Sequence, residues 1–134
     1  MKYILPIILI ALFVVCGCAA AGKTGSSGTG SEYKHITQEE AKEMMARDDG
    51  HVIVDVRRRD EYDAGHIPGA ILIPNESIGN EAPEALQDYD QVILVYCRSG
   101  NRSKQASKKL AAMGFTNVFE FGGINSWTGE IVTE

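Results

Sequence analysis

The chain is 134 residues long, with a hydrophobic share of 44% and a charged share of 23%, figures that fit one ordinary globular domain. Eighteen acidic side chains against thirteen basic ones leave a formal net charge of −5 at pH 7. That balance counts against nucleic acid as a partner.

At the N-terminus, Lys2 precedes an apolar run over residues 4–15, and the run ends in Cys16-Gly17-Cys18-Ala19. A short positive region, a hydrophobic region and a small-residue cleavage site read as a signal peptide over residues 1–17. Cys18, with Val15, Cys16 and Gly17 before it, resembles the lipobox of bacterial lipoproteins, in which the cysteine is lipidated on its thiol and becomes the new N-terminus. Cys16 is the poorer candidate because it would put Val15 at the cleavage point. An uncleaved anchor is the competing reading, since residues 4–21 nearly reach the length of a membrane span, but Pro6 and the small residues at the end of the run argue against it. Either reading puts the domain outside the cytoplasm, held at a membrane. Residues 22–31, Gly-Lys-Thr-Gly-Ser-Ser-Gly-Thr-Gly-Ser, have no apolar side chain to bury. Residues 18–32 are therefore expected to form a flexible, lipid-anchored tether, with the folded domain over 33–134. Losing Lys2 makes the mature chain one unit more negative. With Cys16 removed and Cys18 lipidated, Cys97 is the one free thiol, which excludes an intramolecular disulfide.

Within the domain, Thr37-Gln38-Glu39-Glu40 has the form of a capping box and opens a helix to about residue 47, with Ala41, Met44 and Met45 as its buried stripe. Residues 51–56, His-Val-Ile-Val-Asp-Val, make a near-continuous apolar run, the pattern of a strand covered on both faces. Asp55 falls near the carboxyl end of that strand, the edge at which an open parallel sheet binds ligands. His66 lies in Gly65-His66-Ile67-Pro68-Gly69-Ala70, a turn between helix and strand, which favours a structural role over a Cys-His dyad. Residues 71–73 read as a short strand closed by Pro74, Pro83-Glu84-Ala85-Leu86 as a short helix, and residues 92–96 as a central strand. A helix beyond residue 100 carries Ser103, Ala106, Ser107, Leu110 and Ala111 on one face, small enough to lie close to the sheet. Gly114 ends it, and Val118-Phe119-Glu120-Phe121 supplies the last strand. Alternating strands and helices without internal repeats imply an α/β domain whose mainly parallel sheet has about five strands flanked by helices.

Between the central strand and that helix lies Cys97-Arg98-Ser99-Gly100-Asn101-Arg102-Ser103. A short loop at a helix N-terminus turns backbone N–H groups inward, which favours a thiolate and any anion bound to it. The thiol's pKa is therefore expected to fall. Gly100 permits close backbone approach, and Ser99, Asn101 and Ser103 complete the cradle. Two roles stay open for Arg98 and Arg102, contact with the bound anion or pairing with surface acids. Basic residues bunch at Arg57, Arg58 and Arg59 and again from Arg98 through Lys109, which steers small anions toward the cradle. Arg58, Arg59, Lys108 and Lys109 read as a solvated face.

The Cys97 loop, Asp55-Val56-Arg57, Glu61-Tyr62 with the Gly65 to Ala70 turn, and Gly122-Gly123 with Trp127 occur in an order and spacing that resemble the single-domain rhodanese-like sulfurtransferases. The resemblance covers roughly residues 33–133. It implies a rhodanese-like three-layer domain and a persulfide on Cys97, formed from a small sulfur-containing anion such as thiosulfate and discharged to cyanide or a thiol. No metal and no organic cofactor is implied, and the domain is expected to be a monomer. Asp55 and Arg57 match the family's Asp-x-Arg element, read here as a charge pair that holds the loop's shape. Four residues separate Cys97 from Arg102, one fewer than in the related phosphatase and arsenate reductase loops, and the shorter ring suits a lone sulfur atom better than tetrahedral phosphate. A module that holds or relays persulfide without turnover needs the same cradle. Thiol–disulfide exchange ranks last for want of a resolving cysteine. Trp127 reads as core packing or a pocket wall, and His35 and His51 show no partner in the sequence.

Overall fold

The computed structural model describes residues 31–133, so the expected signal peptide, Cys16, Cys18 and most of the expected tether lie outside the described residues. Five strands are present: β1 (Lys34–His35), β2 (Val52–Asp55), β3 (Ile71–Leu72), β4 (Val92–Cys97) and β5 (Asn117–Gly123). They pair in the order β1-β5-β4-β2-β3, and every pairing is parallel. Parallel neighbours need crossovers, supplied here by α1 (Gln38–Met45), α2 (Arg59–Ala64) and α3 (Asn101–Met113).

The local chemistry explains most of these elements. The Thr37 hydroxyl accepts from the Glu40 N–H over 3.1 Å, and the Glu40 carboxylate accepts from the Thr37 N–H over 2.7 Å. This closes the reciprocal capping box that starts α1. β2 and β4 bury nearly every side chain because apolar layers cover both faces of the sheet. On one face Val54, Ile93, Val95 and Val118 pack with Ala106 and Leu110 of α3. On the other, Ile53, Leu94, Tyr96 and Phe121 pack with Ala41 of α1. Small residues at Ser103, Ala106, Ser107 and Ala111, all buried, let α3 lie close to the strands.

Two elements differ from expectation. Pro83-Glu84-Ala85-Leu86 is a turn rather than a helix: the Leu86 N–H bonds the Pro83 carbonyl over 2.9 Å, and Leu86 is fully buried. Four residues cannot repay helix nucleation, and burial of one leucine fixes the segment instead. β1 was not foreseen, because two exposed polar residues carry no hydrophobic period; it exists by pairing Lys34 with Phe119 and His35 with Glu120 at the sheet edge.

Candidate active site

Because all strands run the same way, their carboxyl ends share one edge, where Asp55 closes β2, Cys97 closes β4 and Gly123 closes β5. Cys97 is fully buried. The loop after it turns at Gly100, whose φ of 110° lies in the left-handed region that glycine tolerates. The turn aims the Gly100 N–H at Cys97 Sγ over 3.0 Å, while Sγ donates to the Ser103 hydroxyl over 3.3 Å. Gly100 is also the N-cap of α3, so the positive end of the helix faces the sulfur.

The loop presses closely on β5. A Cβ added to Gly123 would stand 2.1 Å from the Arg98 carbonyl oxygen, and the Asn125 N–H donates to that oxygen over 3.1 Å. Only a glycine fits at 123. Arg98, Ser99 and Asn101 are exposed at the rim of the cradle, whereas Ser103 is buried beneath it.

Arg102 takes the second of the two roles open to it. Its guanidinium donates to both oxygens of Glu61 over 2.7 and 2.8 Å, a bidentate pair that ties α2 to the start of α3. Those bonds, joined by one from the Arg58 N–H, hold the Glu61 carboxyl down at about 2. Arg98 lies outside the ion pairs formed among the described residues and is the loop cation left facing solvent.

Asp55 and Arg57 do form a buried pair, with Nη2 to Oδ2 at 2.7 Å. Their remaining bonds run to Tyr96 and Gly65 rather than to the loop: the Tyr96 hydroxyl donates to Asp55 over 2.7 Å, and Arg57 donates to the Gly65 carbonyl over 2.7 Å. The Ile67 N–H in turn donates to the Tyr96 oxygen over 3.1 Å. The pair therefore locks the 65–67 turn to β4 and reaches Cys97 only through its neighbour Tyr96. Burial, followed by the Asp55 charge, pushes the Tyr96 phenol well above its ordinary value. His66 stacks on Tyr62 with ring centroids 3.7 Å apart, and its Nδ1 bonds the Tyr62 carbonyl. Trp127 packs on Phe121 with centroids 5.7 Å apart. Among the described residues no three His, Cys, Asp or Glu side chains converge as a metal site would need.

Two acids at the site were not singled out from the sequence. Glu61 belongs to the Glu61-Tyr62 element but carried no assigned role. Glu120 is fully buried on β5. It accepts from the Ser103 hydroxyl and from the Gly122 N–H, each over 2.7 Å, and its other oxygen meets His35 Nδ1. The available signal was a carboxylate inside the apolar run Val118-Phe119-Glu120-Phe121, since a buried charge demands partners.

A buried cysteine at the carboxyl edge of a parallel sheet, under a helix N-terminus and an inward N–H, is built to hold a negatively charged sulfur. The chain is similar to known proteins. The rhodanese-like domain model matches residues 37–130. The thiosulfate sulfurtransferase GlpE of Pseudomonas entomophila (strain L48) is 40% identical over 98 residues, covering 72% of this chain and 86% of the relative. The putative sulfur carrier protein YrkF of Bacillus subtilis (strain 168) is 34% identical over 110 residues, covering 81% of this chain and 58% of the relative. Among solved structures, a rhodanese-related protein from Thermoplasma volcanium superposes with a TM-score of 0.65 at 30% identity, covering 76% of this chain and all of that one. The chain belongs to the rhodanese-like family and is a sulfurtransferase of the rhodanese type.

Proposed function

We propose that the protein moves a sulfane sulfur through a persulfide on Cys97. The Cys97 thiolate attacks the outer sulfur of thiosulfate or a related anion, the donor's S–S bond breaks, and sulfite leaves with the electron pair. The outer sulfur of Cys97–S–S⁻ then passes to cyanide or a thiolate, which returns the Cys97 thiolate. The observation that carries this reading is the Gly100 N–H, 3.0 Å from Sγ at the start of α3, a donor placed where negative sulfur must be stabilised. Arg98, exposed at the rim, is the cation available to a donor's sulfonate. The reading extends to a monomeric domain held outside the cytoplasm by lipid on Cys18.

A second reading is sulfur relay without turnover on small acceptors, the persulfide passing to a protein thiol. The likeness to a putative sulfur carrier protein favours it. Intact mass decides between these outcomes. Wild type treated with thiosulfate gains one sulfur on the Cys97 peptide and loses it to cyanide, and Cys97→Ser does neither. Loss to a protein thiol but not to cyanide selects relay, and an unchanged wild-type mass overturns both.

A further inference from the structure

Glu120 is used by none of these steps, yet it sits two hydrogen bonds from the reacting sulfur. The chain of contacts runs Cys97 Sγ to Ser103 Oγ over 3.3 Å, Ser103 Oγ to Glu120 Oε1 over 2.7 Å, and Glu120 Oε2 to His35 Nδ1. Its inner members are completely buried, while the His35 side chain is 62% exposed. The chain therefore leads from the sulfur to the surface.

We propose that the buried Glu120 carboxylate, coupled to Cys97 through the Ser103 hydroxyl and to solvent through His35, partly offsets the hold of the Gly100 N–H and the helix terminus on a bare thiolate, and so poises the ionised cysteine toward its sulfur-loaded form. A serine hydroxyl has one proton to give. Its acceptors here are the Glu120 carboxylate at 2.7 Å, the Gly100 carbonyl at 2.9 Å and the Gly122 carbonyl at 3.3 Å, and the charged, nearest one takes it. Ser103 then turns a lone pair toward Cys97, which suits an S–H donor and opposes a thiolate. The carboxylate beyond adds like-charge repulsion between fully buried groups.

Sulfur loading relieves that repulsion. This inference rests on the persulfide reading, in which thiolate and thiosulfate give persulfide anion and sulfite. Where Cys97 is ionised the protein carries one anionic sulfur before and after, but in the persulfide the charge has moved to the outer atom, one S–S bond farther along the chain from Ser103. Glu120 thus destabilises the empty thiolate more than the loaded form. The other charges around this line are Arg102 of α3, which faces Cys97 and is paired with Glu61, and His35 of β1, which faces Glu120 and has Glu40 of α1 beside it.

The test uses the full chain and two variants, Glu120→Gln, which keeps the shape, and Ser103→Ala, which removes the hydroxyl between Glu120 and Cys97. Thiolate formation is followed by ultraviolet absorbance against pH, and the loaded fraction by intact mass at fixed ratios of thiosulfate to sulfite. Glu120→Gln raises the thiolate absorbance at a given pH and, at a pH where Cys97 is ionised in both proteins, cuts the loading constant about tenfold. Ser103→Ala removes the hydroxyl that carries the Glu120 charge to the sulfur, shifts both readouts in the same direction, and decides the matter should Glu120→Gln fail to fold. A merely structural role would lower the melting temperature without moving either readout. Normal sulfur uptake with an unchanged loading ratio and thiolate titration overturns the role of Glu120 alone. A wild type that takes up no sulfur overturns the persulfide reading and the loading bias together.

Discussion

Glu61 and Arg102 show how one ion pair can shape a loop of backbone donors. Arg102 follows the cradle directly, so anchoring its guanidinium on α2 limits how far the first turn of α3 can move relative to Cys97. The Glu61 carboxyl titrates at about 2, below its ordinary 4.5. Between these values the folded chain binds fewer protons than the unfolded one, so stability is fully present above about pH 4.5 and is lost as the pH falls toward 2. The pair is partly exposed, with side-chain accessibilities of 23% and 15%, and screening reduces its worth to about 1 kcal/mol. Glu61→Gln should lose that amount in urea denaturation at neutral pH and show a flatter decline between pH 4.5 and 2. Parallel pH curves for variant and wild type would count against the assignment. Its sulfur-uptake rate should also fall several-fold, because the loop loses its anchor.

At the level of elements, β5 and the Cys97 loop are a single packing unit. The register between β4 and β5 shifts between Val95 and Cys97, which brings Cys97 opposite Gly123 and slides the Arg98 carbonyl over a residue without a side chain. Gly123→Ala would put its Cβ 2.1 Å from that carbonyl oxygen. It should cost about 1–3 kcal/mol of stability, the range for overpacking, and thiosulfate-dependent sulfur uptake should drop far more than the melting temperature suggests, since the loop is what moves. Loop length is the second lever. With four residues between Cys97 and Arg102, the ring of donors has a radius suited to one sulfur. Wild type should show no aryl phosphate hydrolysis above a Cys97→Ser control, and one glycine inserted after Gly100 should weaken sulfur transfer. Phosphatase activity dependent on Cys97 and exceeding sulfur transfer in wild type would reverse this size argument.

For the whole molecule, the sheet order puts β1 at one edge beside β5, so the chain enters the domain next to the strand that carries Glu120. The proposed lipid anchor predicts a separable arrangement. Cys18→Ala should block lipidation and cleavage at Gly17, read as unprocessed precursor mass and loss of lipid labelling. A chain beginning at Gly22 should be soluble with full sulfur transfer, because the core clusters among the described residues begin at Tyr33. Mature protein starting before Cys16 would favour an uncleaved anchor instead.

Features that depend on neighbours along the chain were legible in the sequence. The capping box at Thr37, the apolar runs of β2 and β4, the small face of α3 and the glycine stop at 114 are local patterns, and the α/β fold follows from their alternation. The cysteine loop was legible too, because strand, tight turn and helix N-terminus are consecutive. Contacts between segments distant in sequence were not. Arg102 had two open roles until folding brought Glu61, 41 residues away, into bidentate reach. The Asp55–Arg57 pair could be named, but its bonds to Gly65 and Tyr96 depend on how the turn packs. His35 meets Glu120 across 85 residues through a strand of two residues with no pattern of its own. Side chains and periodicity state which groups must find partners, and only the packing of the sheet chooses which partners they find.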